Sequence, residues 1–292
     1  MRPFRFGANL LSLSSADDWA VTCRQVENLG YDVLLVPDHL GIPAPFPALV
    51  AAAAHTRLRV GTFVLNAGFY NPTVLARDAA TTDQLTGGRL ELGLGTGYVQ
   101  AEFEAAGIDP GTTKDRIDRL EALVARLCEI LRDPATTPPP HQQPPPLLLG
   151  GNGDRMLRLA ARHADIVGFT GAAYDPTIPD GLRILTADAF ADRVAFFEKA
   201  AGERNSLIER NLLIQMVVVT DEREAAIRAQ SHMAPYLTTD ELLDVPILLV
   251  GTVGQIVEQV RRLRDDHGIS YLTVLQPSMD AFAPVLQALR SE

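Results

Sequence analysis

Short apolar runs alternate with amphipathic helical stretches along the whole chain, the pattern of repeated βα units around a parallel sheet. The apolar runs predict eight strands: Phe4 to Leu10, Val33 to Pro37, Arg59 to Leu65, Leu90 to Thr96, Leu147 to Gly150, Ile166 to Thr170, Leu212 to Thr220 and Tyr271 to Gln276. Several intervening helices carry their own start and stop signals. Ser15-Ala16-Asp17-Asp18 opens one in the manner of a capping box, and Gly30 stops it. Asn71-Pro72 places an N-cap and a first-turn proline before a helix that ends at Gly87-Gly88. Thr252 and Gln255 open a third, with Ile256, Val257, Val260 and Leu263 on one face and Gly268 beyond its end.

Eight βα units in 292 residues fit a closed α/β barrel, the (β/α)8 TIM barrel, as a single domain over residues 1–292. An open doubly wound sheet normally has fewer strands and a clear dinucleotide fingerprint. Two stretches break the rhythm and predict irregular insertions after strands four and six. Pro134 to Pro146 has seven prolines in thirteen residues and reads as a stiff connector rather than a recognition motif. Gly171 to Ala187, rich in Gly, Pro and Asp, follows strand six on the face where barrel active sites lie, a position suited to covering substrate.

Composition narrows the class. Hydrophobic residues make up 47% of the chain and charged residues 21%, the balance of a globular domain. Apolar runs such as Ala48 to Ala54 fall far short of the roughly 20 residues that cross a bilayer, so no membrane span is expected. The N-terminal stretch alternates like a strand and lacks the cleavage pattern of a signal peptide. Cys23 and Cys128 lie in separate helical patterns and suggest neither a disulfide framework nor a metal site. A cytoplasmic location is the expectation. The formal net charge of -10 opposes general attraction to nucleic acid, which leaves a small molecule as the expected partner.

In a barrel of this kind, polar residues that end strands on the C-terminal side point into the ligand site. Strand two ends in Pro37-Asp38-His39, strand three in Leu65-Asn66, strand four in Gly95-Thr96-Gly97-Tyr98 and strand five in Gly150-Gly151-Asn152-Gly153. Gly93, Gly95 and Gly97 lack the spacing of a Rossmann fingerprint. They would let backbone approach a planar ring, since they carry no Cβ, or serve only as a turn. Gly150, Gly151 and Gly153 precede a helix N-terminus whose free N–H groups favour a phosphate, and Asp154 complicates that reading unless it points away.

These residues resemble the luciferase-like family. The run from Gly30 to His39 is similar to the family's strand-two signature. Gly61 to Asn66, Asn71-Pro72 and Gly87 to Gly97 match its strand three, helix three and strand four. Leu149 to Gly153 with Ala160 to Asp165 resembles its phosphate-proximal segment, and Leu249 to Thr252 with Gly268 to Tyr271 completes the order. The likeness spans nearly the whole chain.

The resemblance implies a barrel oxidoreductase using either coenzyme F420, a deazaflavin that transfers hydride and reacts poorly with oxygen, or FMN, whose reduced form activates oxygen. The Asp38-His39 pair, the compact length and the C-terminal pattern favour F420. The implied cofactor site comprises Asp38, Phe63, Val64, Asn66, Gly95, Thr96, Gly97, Gly150, Gly151, Asn152, Gly153 and Arg155, with a non-prolyl cis peptide at Phe63-Val64. Lys114, Arg116, Arg119 and Arg158 are further candidates for the cofactor's anionic tail. The implied catalytic residues are His39, Tyr98 and Asp38, the last orienting His39 or holding the ring edge. Tyr98 stands where the family's sugar-phosphate dehydrogenases carry glutamate, which argues against sugar oxidation and for hydride transfer to a C=C or C=N bond, with His39 or Tyr98 protonating the product. An FMN-dependent monooxygenase and a non-catalytic cofactor-binding barrel are the alternatives. Phe46, Phe69, Tyr70, Phe169 and Tyr174 are candidates for an apolar pocket, and the family implies a homodimer.

Overall fold

The computed structural model describes residues 2–175, 178 and 182–291. Its strands are β1 (Arg5–Asn9), β2 (Val33–Val36), β3 (Arg59–Thr62), β4 (Leu65–Asn66), β5 (Leu90–Gly95), β6 (Leu147–Gly150), β7 (Ile166–Phe169), β8 (Ala172–Tyr174), β9 (Leu182–Ile184), β10 (Glu209–Ile214), β11 (Met216–Val219), β12 (Leu248–Gly251) and β13 (Ile269–Leu275). Eight of them, β1, β2, β3, β5, β6, β7, β10 and β13, run parallel around a barrel. It closes where Val60 and Gly61 of β3 pair with Leu90 and Glu91 of β5. The expected (β/α)8 architecture is the one observed.

Two apolar layers hold it. Outward residues such as Phe6, Leu34, Val60, Leu92, Val167 and Leu212 pack under the surrounding helices, and Val33, Leu35, Phe63, Leu148, Ile166 and Tyr271 fill the barrel itself. Burial of each large side chain contributes about 2 kcal/mol. Gly7 shows how tightly the interior is filled: a Cβ there would stand 2.9 Å from Leu35 and 3.1 Å from Tyr271. The helix signals in the sequence are also used as expected. Ser15 accepts from the Asp18 N–H, Asn71 from the Thr73 and Val74 N–H groups, Thr252 and Gln255 form a reciprocal box, and Gly268 is left-handed at φ 66°.

Two expected strands divide. The run Arg59 to Leu65 breaks at Phe63-Val64, whose peptide is cis, and β4 pairs with β5 as a separate step. The run Leu212 to Thr220 leaves the barrel at Gln215, because Ile214 already lies beside Val274 near the end of β13. Its second half, β11, pairs instead with β12, a strand outside the expected eight. Apolar periodicity is continuous through both breaks, and only the length of the neighbouring strand decides where pairing ends. The proline-rich connector contains no helix or strand; Gln142 pins it through Asp83, donating from its backbone N–H and side-chain amide at 2.6 and 2.7 Å. The stretch after strand six is less irregular than expected. Residues 172–174 and 182–184 form an antiparallel hairpin, while 176, 177 and 179–181 lie outside the described residues.

Candidate active site

The C-terminal ends of β2, β4 and β5 bring His39, Asp38, Asn66 and Tyr98 together. His39 Nδ1 lies 2.9 Å from Glu102 Oε1. A carboxylate only accepts, so Nδ1 carries the proton toward Glu102 and leaves Nε2 to exchange a proton elsewhere. The Tyr98 ring meets the imidazole edge-on at 5.9 Å between centroids. Tyr98 and Glu102 are four residues apart, across the start of the short helix Gln100–Ala105, and both reach the one histidine.

The carboxylate hydrogen-bonded to His39 is Glu102, whereas Asp38 holds backbone. Its Oδ2 accepts the Asn66 backbone N–H at 3.0 Å, and the Tyr70 hydroxyl donates to the same carboxylate. Burial pushes the Asp38 pKa up, against the opposing pull of those two donors. The Tyr70 hydroxyl is likewise pushed up, by burial first and then by Asp38. Asn66 in turn accepts from the Gly68 N–H at 3.0 Å.

The glycines divide into two uses. A Cβ on Gly93 would fall 2.1 Å from the Thr62 carbonyl, one on Gly95 2.7 Å from Val64 Cγ2, and one on Gly97, at φ 69°, 2.3 Å from Asn66 Oδ1. The room at strand four is therefore taken by the Phe63-Val64 bulge and Asn66. Gly150 is different: its Cβ would first meet Val64 at 3.5 Å and the Gly168 carbonyl at 3.9 Å, and a Cβ on Gly153 would meet nothing within 4 Å. Val64 thus forms a floor at ordinary contact distance from Gly150, beside Gly168 of β7. Two buried amide oxygens at this end, Asn9 Oδ1 and Asn152 Oδ1, have no hydrogen-bond partner. Asn9 reaches only the Phe63 carbonyl, at 3.5 Å. Glycine backbone beside amide oxygens that lack donors suits a planar heteroaromatic ring that brings its own.

The remaining candidates spread outward. The Asn152 amide N–H groups bind Thr170 and the Ala172 carbonyl, tying strand five to the hairpin. Asp154 is turned away to Arg193, at 2.7 Å, which removes the objection to an anion at this helix start. Arg155 is held by Asp118 and Glu121, each at 2.7 Å, Lys114 by Asp118, and Arg158 stands 3.7 Å from Asp154. Arg116 and Arg119, by contrast, donate to the Gly111 and Pro110 carbonyls and the Thr113 hydroxyl. Neither has a carboxylate partner among the described residues, and Arg116 Nε is buried with no acceptor. Of the expected pocket aromatics, Phe169 points outward, packed between Phe190 and Phe197, and Phe69 lies against Phe103.

A profile of the luciferase-like monooxygenase family matches residues 1–270. The chain belongs to that family. Among luciferase-like relatives, the F420-dependent glucose-6-phosphate dehydrogenase of Nakamurella multipartita is 31% identical over 255 residues, 77% of this chain and 71% of its own. The 4-hydroxyprotoasukamycin monooxygenase of Streptomyces nodosus subsp. asukaensis is 33% identical over 108 residues, 35% of this chain but only 29% of its own length. In three dimensions the chain is similar to an F420-dependent secondary alcohol dehydrogenase in complex with an F420-acetone adduct, with a TM-score of 0.77, 18% identity, and 99% and 100% of the two chains covered. At that identity the likeness concerns the fold.

Glu102 is the functional candidate that the strand-end rule missed, since it lies seven residues beyond β5. The signal was its spacing from Tyr98, four residues on a helix start facing strand two.

Proposed function

We propose that the protein is an F420-dependent oxidoreductase in which hydride passes to a C=C or C=N bond of a small unsaturated metabolite. The observation that carries the reading is the His39–Glu102 pair, set at the same barrel end as the Val64 floor and its unsatisfied amides. The F420-dependent relative matched over most of both chains supports the choice of cofactor. Asp38, Asn66, Val64 and Gly150 would hold the ring, and Asn152 and Gly153 its phosphate. The unneutralised Arg116 and Arg119 suit its carboxylate tail better than Arg155, which two acidic residues already hold. When bound, reduced deazaflavin supplies the hydride. His39 delivers a proton from Nε2 to the product, and Glu102 stabilises the charged imidazole and fixes its orientation. Tyr98 walls the same space. A homodimer formed through barrel helices is part of the same reading.

The test is an anaerobic single turnover of reduced F420 with an enone acceptor. His39→Ala should slow hydride transfer roughly 100-fold or more while F420 affinity stays within about threefold. An unchanged rate removes His39 from the chemistry. Oxygen uptake by FMN-loaded protein would favour the monooxygenase alternative.

A further inference from the structure

The cations on the C-terminal face limit the substrate more than the catalytic residues do. The connections that leave the barrel strands on this face are 10–15, 37–44, 63–71, 96–112, 151–153, 170–186, 215–252 and 276–278. Their only Lys or Arg residues are Arg183, Arg223 and Arg228. Arg183 pairs with Asp175 at 3.3 Å and stacks 4.0 Å over Tyr236. Arg223 donates to the Val250 and Leu243 carbonyls, and Arg228 lies 3.8 Å from Glu224. A phosphorylated substrate needs charge-assisted donors; these connections have none to spare, and Arg116 and Arg119 in the helix that follows residue 112 are taken by the cofactor's tail in the same reading.

Apolar side chains stand there instead. Of the ten large hydrophobic side chains exposed among the described residues, six lie in these connections: Leu13, Leu40, Tyr98, Tyr174, Leu182 and Val219. Of these, Tyr174 and Leu182 are neighbours, and an exposed apolar pair on a strand-end hairpin is suited to binding an apolar ligand. The hairpin shows the device most clearly. Tyr174 lies directly across from Leu182, so both project from one face, and Ala173 lies across from Arg183 on the other. The Arg183 face is fastened, by the stacking on Tyr236 and by the Ile184 N–H donating to the Tyr236 hydroxyl at 2.6 Å. The Tyr174 and Leu182 face is left 58% and 39% exposed.

We infer that the substrate of the His39 site is an uncharged, apolar compound without a phosphate group, and that the β8–β9 hairpin supplies part of its binding wall. The inference rests on the reading of the C-terminal end as the reacting end. It separates this chain from relatives named for glucose 6-phosphate.

Calorimetric titration of the F420-loaded protein with straight-chain alcohols from butanol to octanol tests it. Affinity should rise about fourfold per added methylene, and glucose 6-phosphate should show no binding. In Tyr174→Ser/Leu182→Ser the rise should fall to twofold or less per methylene, with F420 affinity unchanged. Glucose 6-phosphate binding as tightly as octanol, or no dependence on chain length, overturns the substrate class; an unchanged rise in the double variant overturns the hairpin's part. The alcohol series read on cofactor-free protein, beside a separate F420 titration, keeps the two readings apart. Loss of F420 binding alone sinks the cofactor assignment, and loss of the chain-length effect alone sinks this one.

Discussion

The two ends of this barrel use buried polar groups in opposite ways. At the N-terminal end Arg5, Arg59 and Glu209 begin their strands and Glu91 is the second residue of β5. Arg5 bonds Glu91 and Glu209, Arg59 bonds Glu91 at 2.6 Å, and the Tyr271 hydroxyl adds a contact to Glu91 at 3.4 Å. Each charge has a partner of opposite sign in a closed plug. At the C-terminal end Asp38 holds backbone, His39 is half exposed with one nitrogen unassigned, and two buried amide oxygens lack partners. The first arrangement is a finished structure. The second leaves acceptors and an imidazole nitrogen available to a ligand, on the face where barrels carry their chemistry.

The contrast breaks most sharply at Glu91. Glu91→Ala would leave Arg5 with Glu209 alone and Arg59 without a carboxylate, and should cost about 2–3 kcal/mol in denaturant unfolding. A loss below about 1 kcal/mol would mean that water replaces the carboxylate and that the plug is no different from the mouth. On the other face, Glu102→Gln should lower the single-turnover rate about tenfold or more through the misheld imidazole, with unfolding unchanged to within about 0.5 kcal/mol. Asn9→Leu removes an amide whose only bond is long, so stability should hold or rise slightly, while F420 affinity falls several-fold. Equal affinity would show that the unsatisfied oxygen serves no ligand.

The smallest effect concerns pH. Burial raises the Asp38 pKa above its ordinary 3.8, so the native chain takes up this proton before the unfolded chain does. Its contribution to stability therefore grows as pH falls through the raised pKa and is lost above it, where the ionised carboxylate is a net cost. Asp38→Asn should flatten that part of the stability profile and leave stability at neutral pH equal or slightly higher. A steeper profile in the variant would reverse the assigned sign.

The mouth and the plug were unequally legible in the sequence. The eightfold rhythm and the helix caps at Ser15, Asn71 and Thr252 are local signals; the caps appear where the pattern put them, while the seventh barrel strand runs from Glu209 to Ile214 instead of Leu212 to Thr220. His39, Asp38 and Asn66 were readable because strand ends are marked by the change from apolar to polar residues. Glu102 was not, since its partner lies 63 residues away and helix spacing alone does not say which face meets strand two. The engagement of Arg155 with Asp118 and Glu121 was hidden for the same reason: ion pairing between helices is a tertiary fact. The glycines misled in a different way, because absence of a Cβ shows that something comes close without showing what. Val64 and Asn66 fill the space at Gly95 and Gly97, whereas a Cβ on Gly150 would meet only ordinary contacts with Val64 and the Gly168 carbonyl.

Gly150 gives the most direct test of the central claim, that the C-terminal end is shaped for a deazaflavin ring. F420 and FMN titrations of the native protein and of Gly150→Ala, followed by fluorescence, read it at one position where the added methyl meets only ordinary contacts. The account predicts saturable F420 binding preferred over FMN, and at least a tenfold loss in Gly150→Ala with the unfolding midpoint unchanged. FMN preferred over F420, or Gly150→Ala binding F420 as tightly as the native protein, would contradict it.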